Sequence, residues 1–568
     1  MRISPAPARP AGNLLILRCI TAVMLLVALA PRAHPEALSS VASAEQLQLR
    51  IGALAEDSRV AGREVADPWF LARFYERRQF TPVWADRAKI DQLLEAVIVS
   101  ERHGLEPEDY HLTILRELAA AMRSAPRPWL ANELEILATD ALVRLAFHLR
   151  FGKVNPGRIE STWNFSPDMG SVSPVDAIQS LLRADDLAAA VAGNAPDSAH
   201  YRALMGHLAA YREIAAQGGW PVIGLGDSLR LGMQSRRVPA LRALLSITGD
   251  LEAAVYAEAP DVFDPVMEAA VKRFQERHGL DPDGVVGRQT LVELNVPVEA
   301  RIDQLRINME RFRWIFRDLE PRFLLVNIAR YRVLLVENQQ VVWSTRAVVG
   351  RPYRQTPVFK ARMTYLELNP TWTVPPTILR EDLLPDIRRD PTVLQQRNMT
   401  VLDHQGRPVD PATIDWSTVT GQTFHHMIRQ EPGPDNALGR VKFMFPNPYH
   451  VYMHDTPARS LFARAARGFS SGCIRLERPF ELVEILLAGT QWNQAAIEQV
   501  LASGRTRVVN LPQPLTVLTL YGTAVPEAGR IHFARDVYQR DARLLQALDV
   551  PFEFSPPAGY QEALDSTD

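Results

Sequence analysis

Cysteine is nearly absent from this chain: 568 residues hold two, Cys19 and Cys473. Net charge is nearly absent too. A formal value of −2 leaves no electrostatic case for a nucleic-acid partner. No C-x-x-C spacing is present, and no apolar run reaches the roughly 20 residues of a membrane-spanning helix. What remains is ordinary globular composition, 47% hydrophobic and 23% charged, long enough for several separate cores.

Arg2, Arg9 and Arg18 precede a short apolar run at residues 20–30, and small residues follow at Ala30 and Ala33. Charged, then apolar, then small is the order of a secretory signal, here expected over residues 1–33. An uncleaved N-terminal anchor, tethering the protein to the inner membrane, is the alternative. Cys19 follows Arg18 rather than a small residue, which argues against lipid attachment. Export puts the chain in an oxidising compartment. With the signal removed, Cys473 stands alone and cannot close an internal disulfide. Burial as an inert small hydrophobe is one explanation for such a thiol; use as a nucleophile is the other.

The periodicity divides the chain. Residues 34–67 read as a flexible, Ala-rich lead-in. Residues 68–217 read as a helical domain that opens with Trp69, Phe70, Phe74 and Tyr75 on one helical face. Gly218-Gly219-Trp220-Pro221 marks a boundary. A second helical unit covers residues 225–297, with Asp264 and Pro265 starting a helix, Val271 and Phe274 facing inward, Gly279 ending it and Asp283 in a turn. Residues 298–321 form a helical connector. From Pro321 the period changes to that of strands, with runs at residues 323–328, 332–336 and 341–345 and a polar turn around Asn338. The domain over residues 322–511 is mostly β, with one helix after Pro479. Residues 376–440 interrupt it as an insertion placed to cap a site, and residues 512–568 form a tail. The fold class is therefore multidomain α+β.

His454 ends the strand-like run Tyr449-His450-Val451-Tyr452-Met453-His454, and Cys473 follows the turn Ser470-Ser471-Gly472. A thiolate is the nucleophilic form of cysteine, and an adjacent imidazole can take the proton and hold it as an ion pair. Gly472 permits unusual backbone dihedrals, so the N–H groups of Gly472 and Cys473 are oxyanion-donor candidates. Arg475, two residues on in an extended segment, shares a face with Cys473 and suits a carboxylate. A zinc site from His450, His454 and Cys473, with His425 and His426 in reserve, would need about four ligands. Trp372, Trp416 and His425 in and around the insertion are loose candidates without assigned roles.

These motifs resemble a known family. His454-Asp455-Thr456-Pro457, then Ser470-Ser471-Gly472-Cys473-Ile474-Arg475, is similar to the signature of the L,D-transpeptidase (YkuD-type) catalytic domain. Gly350, Gln355-Thr356-Pro357 and the segment from Asn369 to Pro376 resemble the same family's larger periplasmic members. The A-V-x-x-F-Q helix at Ala270 to Gln275 and the turn Asp283-Gly284 resemble the small three-helix peptidoglycan-binding domain. The resemblance implies a helical scaffold domain, a peptidoglycan-binding domain and a catalytic domain with a capping insertion. It implies Cys473 as nucleophile, His454 as base, and substrate contact at Arg475 and Tyr452; a polar role in the turn beside Gly472 falls to Ser470 or Ser471. Many members carry His-Gly-Cys where this chain has Ser471-Gly472-Cys473, so no second site histidine is carried over. The implied activity links third residues of peptidoglycan stem tetrapeptides through a thioester, in the periplasm, with no cofactor or metal and with other wall-synthesis proteins as further partners. A wall hydrolase using the same pair, and a non-catalytic wall-binding protein, are the competing readings.

Overall fold

The computed structural model describes residues 44–165, 172–252, 259–315, 319–554 and 560–565. The expected signal over residues 1–33 lies outside them. No described helix is long and apolar enough to cross a membrane. The chain divides into two compact units, residues 1–94 with 111–140, and residues 95–110 with 141–568.

The first unit corrects the expected lead-in from Ala44 on; its residues 34–43 lie outside the described residues. From Ala44 the chain is a helix, Ala44–Gly52, followed by a hairpin of Arg59–Val60 with Arg63–Glu64. Leu47, Ile51 and Leu54 recur at three-to-four spacing and are buried, which holds the segment down. Asp67 caps the next helix, Pro68–Arg77, by accepting from Phe70 N at 2.9 Å. Phe70, Phe74 and Tyr75 are buried as expected. Trp69 is not: it is 57% exposed, with the Arg73 guanidinium over its ring. The break at Thr81 to Trp84 is held by Glu135, a buried carboxylate that accepts from Val83 N, Trp84 N and the Tyr75 hydroxyl. Burial pushes its pKa up, and these three donors offset the cost of keeping it inside.

In the second unit, helices Val238–Ile247, Pro265–Arg277 and Arg288–Leu294 enclose Leu241, Leu244, Met267, Val271 and Phe274. Asp264 accepts from Met267 N at 2.8 Å, and Gly279 takes φ +64° beyond the helix end. Asp283 accepts from Gln275 Nε2 and Val285 N, which is the turn role expected. The connector is the helix Val298–Arg313.

The β domain is one nine-stranded sheet: β1 (Arg322–Asn327), β2 (Arg332–Glu337), β3 (Gln340–Gly350), β4 (Phe359–Leu368), β5 (Val441–Met444), β6 (Met453–His454), β7 (Gly468–Ser470), β8 (Ile474–Leu476) and β9 (Arg507–Leu520). Its order is β7-β3-β8-β6-β5-β4-β9-β1-β2, and β2 also pairs with β3, so eight strands close into a ring with β7 beside β3. Asn338 and Gln339, both at positive φ, make the tight turn from β2 to β3.

Three expectations change here. The boundary at residue 511 falls inside β9, whose second half pairs with β1 and β4, so the ring reaches Leu520. Two helices follow Pro479, namely Pro479–Leu486 and Gln494–Ala502. The strand expected from Tyr449 shrinks to Met453–His454, because the Asn447 side chain donates to the carbonyls of Phe445 and Val451 and turns the chain, with His450 at φ +55°. The insertion starts slightly earlier than residue 376: Trp372–Thr373 joins a separate four-stranded sheet with Met427–Gln430, Met399–Leu402 and Pro408–Val409. That subdomain has its own core around Leu384, Ile387, Val401, Trp416 and Ile428.

Candidate active site

The loop Ser471 to Cys473 is fixed by its flanking strands. β7 pairs with β3 at Gly468–Val349 and Ser470–Gly350, and β8 pairs with β3 at Arg475–Val348. Both ends of the loop are thereby tied to the end of one strand. Gly350 must be glycine, since a Cβ there would lie 2.1 Å from the Arg354 carbonyl oxygen. The Gly350 N–H donates to Thr356 Oγ1 at 2.9 Å, and that hydroxyl donates to the Gly472 carbonyl at 2.8 Å. The Tyr538 hydroxyl donates to the Gly350 carbonyl at 2.7 Å. Gly472 sits at φ +115°, where a side chain would be strained.

Within the loop, Ser470 Oγ donates to the Cys473 carbonyl at 2.5 Å and accepts the Gly472 N–H at 3.1 Å. The Gly472 N–H, expected as an oxyanion donor, is therefore committed inside the turn. Ser471 is exposed and its hydroxyl accepts from Arg354 at 2.8 Å. Arg354 also pairs with Glu381 and Asp382, each at 2.6 Å, on the π-helical turn Leu379–Leu383 of the inserted subdomain.

Strand register explains the face around Cys473. β6 and β8 run parallel, pairing Met453 with Ile474 and His454 with Arg475. Side chains alternate along a strand, so Tyr452 and His454 share a face with Cys473 and Arg475. The same row continues through Lys442, paired with His454, to Glu367, paired with Lys442. Lys442 stands 3.6 Å from Glu367 and 4.5 Å from the centre of the Tyr452 ring. Rings of Tyr452 and His454 meet edge-on at 5.7 Å. Tyr452 lies beside Cys473 and Trp372; burial, then the neighbouring thiol, pushes its hydroxyl pKa up.

His454 is buried and its Nδ1 donates to the Asp455 carbonyl at 2.5 Å. Burial, then the positive charge of Arg475, lowers its pKa to about 3. Burial raises the Cys473 thiol above its ordinary range, opposed by hydrogen bonds from Tyr452 and by the charges of Lys442 and Arg475. Both shifts favour a neutral thiol beside a neutral imidazole over the ion pair expected from the sequence. No hydrogen bond joins Cys473 to His454; a polar neighbour of the sulfur is the His450 carbonyl at 3.9 Å. Arg475 is desolvated, its Nε is buried without a partner, and it has no carboxylate partner among the described residues.

Of the loose candidates, Trp372 reaches the site through Tyr452, Trp416 is core of the inserted subdomain, and His425 is exposed. Among the described residues no group of three or more His, Cys, Asp or Glu could hold a metal ion, so the zinc alternative finds no ligand set there. Sequence reading missed Lys442, Arg354 and Tyr538. Only Lys442 carried a signal, a charge at an alternate position of an apolar strand, and its significance needed the register.

Residues 321–500 match the model of the L,D-transpeptidase catalytic domain, residues 70–208 the scaffold domain, and residues 234–294 a domain described as "Putative peptidoglycan binding domain". A curated protein of Haemophilus influenzae named "Putative L,D-transpeptidase" is 36% identical over 265 residues, which are 45% of this chain and 53% of that protein. The match therefore spans about half the length of that relative. Among solved structures, an L,D-transpeptidase from Mycobacterium smegmatis overlaps with a TM-score of 0.18 at 12% identity, covering 35% of this chain and 58% of its own. An L,D-transpeptidase from Xylanimonas cellulosilytica overlaps with a TM-score of 0.17 at 15% identity, covering 52% of this chain and 99% of its own.

Proposed function

From a chain that carries an L,D-transpeptidase catalytic domain beside a scaffold domain and a peptidoglycan-binding domain, we propose that the protein joins the third residues of two peptidoglycan stem peptides. The observation that supports this most is the shared face of Tyr452, His454, Cys473 and Arg475, with a desolvated arginine open to a carboxylate. In this reading Arg475 receives the terminal carboxylate of a donor tetrapeptide. The Cys473 sulfur attacks the carbonyl carbon of the third residue as His454 takes the thiol proton. The oxyanion meets the Cys473 N–H, with the Tyr452 hydroxyl alongside. The bond to D-Ala then breaks, His454 gives the proton to the departing amine, and a thioester is left on Cys473. The side-chain amine of a second stem's third residue attacks that carbonyl, forming an amide and returning the thiol with its proton. Because thiol and imidazole both rest neutral, proton transfer accompanies attack rather than preceding it.

The peptidoglycan-binding domain would hold glycan near this site, and an export signal would deliver the protein to the periplasm. Incubating the purified chain with disaccharide-tetrapeptide and weighing the products tests the reading. Cross-linked dimer with release of D-Ala is expected. Tripeptide alone would assign the same site to hydrolysis, as a wall carboxypeptidase. Cys473→Ala should abolish both the products and a covalent carbapenem adduct; an adduct that survives that change overturns the mechanism.

A further inference from the structure

A cavity of about 660 Å³ lies elsewhere in the same unit, and neither Cys473 nor His454 lines it. Its size falls in the range of roughly 300–1,000 Å³ that small-molecule sites occupy. One wall is a face of β1 and β2. The register pairs Phe323 with Val336, Leu325 with Leu334 and Asn327 with Arg332, and all six line the cavity. The intervening Leu324, Val326, Val333 and Leu335 are fully buried on the opposite face. The wall is therefore two apolar rungs followed by one polar rung, over about 13 Å of strand. Ile315, Leu319 and Trp163 line it as well and pack against the same core.

The polar end carries arginine in excess. Glu527 is shared by Arg330 at 2.8 Å and Arg332 at 3.2 Å. Every other charged acid or arginine along the lining has its own counter-ion: Glu160 has Arg540, Glu320 has Arg362, Asp197 has Arg202, and Arg311 has Asp541. Counted together with these partners, the described lining residues leave one positive charge over, and it sits where the apolar rungs end. Arg330 holds Glu527 the more closely, and the Nε of Arg332 is buried without a partner, so the surplus falls on Arg332, where an anion could answer it.

We propose that this cavity binds a single-chain amphiphile with an aliphatic tail and one anionic head. The tail lies along the Phe323–Val336 and Leu325–Leu334 rungs, and the head pairs with Arg330 and Arg332. The site is separate from the Cys473 face, so it stands whether or not the reaction proposed above is correct.

The test is titration of the full chain with dodecyl phosphate, dodecyltrimethylammonium and inorganic phosphate, below micelle-forming concentrations, read by calorimetry and native mass spectrometry. One dodecyl phosphate should bind per chain. The cationic amphiphile should bind about tenfold or more weakly, as loss of a charge-assisted hydrogen bond dictates. Inorganic phosphate alone should not bind measurably. Leu325→Trp should fill the wall and remove dodecyl phosphate binding, while the alkylation rate of Cys473 stays that of the parent and reports an intact fold. Should that variant misfold, Leu334→Phe replaces it with the same expectation. Glu527→Gln should tighten binding by freeing both guanidinium groups. Equal affinity for the two head groups, or binding unchanged by filling the wall, overturns the proposal.

Discussion

Two buried histidines in this molecule look alike by electrostatics and differ in everything that bears on chemistry. His278, at the end of the helix Pro265–Arg277, donates from Nδ1 to the Phe274 carbonyl at 2.7 Å; His454, at the end of β6, donates to the Asp455 carbonyl. Burial and a neighbouring arginine lower both pKa values. Around His278 the arginines are answered: Arg277 by Asp250 and Arg301 by Glu293. The His278 ring stacks on Phe274, and Arg277 is paired at its Nε and Nη2 with the buried Asp250 and donates to the Ile531 carbonyl. Around His454 the arginine is left unanswered, a thiol lies on the same face, and a glycine turn brings backbone to the edge. A perturbed histidine is thus no sign of a site by itself. The sign is a perturbed histidine beside charge that the fold has desolvated and not paired.

The largest contrast should come from the histidines themselves. His454→Ala should slow thioester formation by about 10²–10⁴-fold, the usual contribution of a positioned base. His278→Ala should leave the rate unchanged and lower stability alone. Stopped-flow acylation and urea unfolding of both variants check this, and an acylation rate untouched in His454→Ala would erase the distinction.

The arginines give the next contrast, with the roles of stability and activity exchanged. Arg277→Met leaves Asp250 buried with the Thr248 hydroxyl at 2.8 Å and Arg530 at 3.8 Å, and should cost about 3–5 kcal/mol in urea unfolding. Arg475→Met removes an unpaired guanidinium, so stability should hold or rise. Its kcat/KM for a carboxylate-bearing donor should fall about tenfold to a hundredfold, the worth of a charged hydrogen bond.

A smaller effect tests the loop. Thr356→Val strips the Gly350 N–H and the Gly472 carbonyl of their shared partner, and should cost about 1–3 kcal/mol. Iodoacetamide labelling of Cys473 should change in rate with it, because the hydroxyl holds the turn that presents the sulfur.

The pH dependence is the finest probe. An unfolded histidine titrates near 6.5, whereas folded His454 titrates at about 3. Between those values the unfolded chain binds a proton that the folded chain refuses, so stability falls as pH drops through the window. His454→Gln should shrink the stability lost between pH 7 and pH 4.5 by roughly 2 kcal/mol. His278→Gln should act in the same direction, since burial lowers that group too. Activity separates them again: acylation should keep its rate from pH 7 to pH 5, since His454 stays an uncharged base throughout.

Much of this was legible in the chain itself because the signals were local. Asp264, Pro265 and Gly279 bracket a helix by chemistry confined to a few residues, and the alternation from Phe323 to Val336 gives strands without reference to a partner. The motif around Cys473 was legible for the same reason. What could not be read was whatever depends on long-range pairing. Nothing near Lys442 says that it stands beside His454, and nothing near Arg354 says that it meets Ser471, Glu381 and Asp382. The resting protonation of Cys473 and His454 was illegible too, because burial and the placing of Arg475 decide it. The strand before His454 was overestimated because Asn447, a single side chain, outcompeted a run of good strand formers. The lead-in was misread because alanine-rich composition hid three leucine and isoleucine anchors.

The inserted subdomain leaves β4 after Leu368 and returns at Val441, and those two residues are paired neighbours in the sheet. The ring would hold its ends together whatever lay between them. For such a loop, doubling the length adds only about 0.6 kcal/mol of closure entropy. The segment is therefore an exchangeable cassette. Evolution could lengthen or replace it at little entropic cost to the barrel, and so could vary what reaches the thiol through the places where Trp372, Glu381 and Asp382 meet Tyr452 and Arg354.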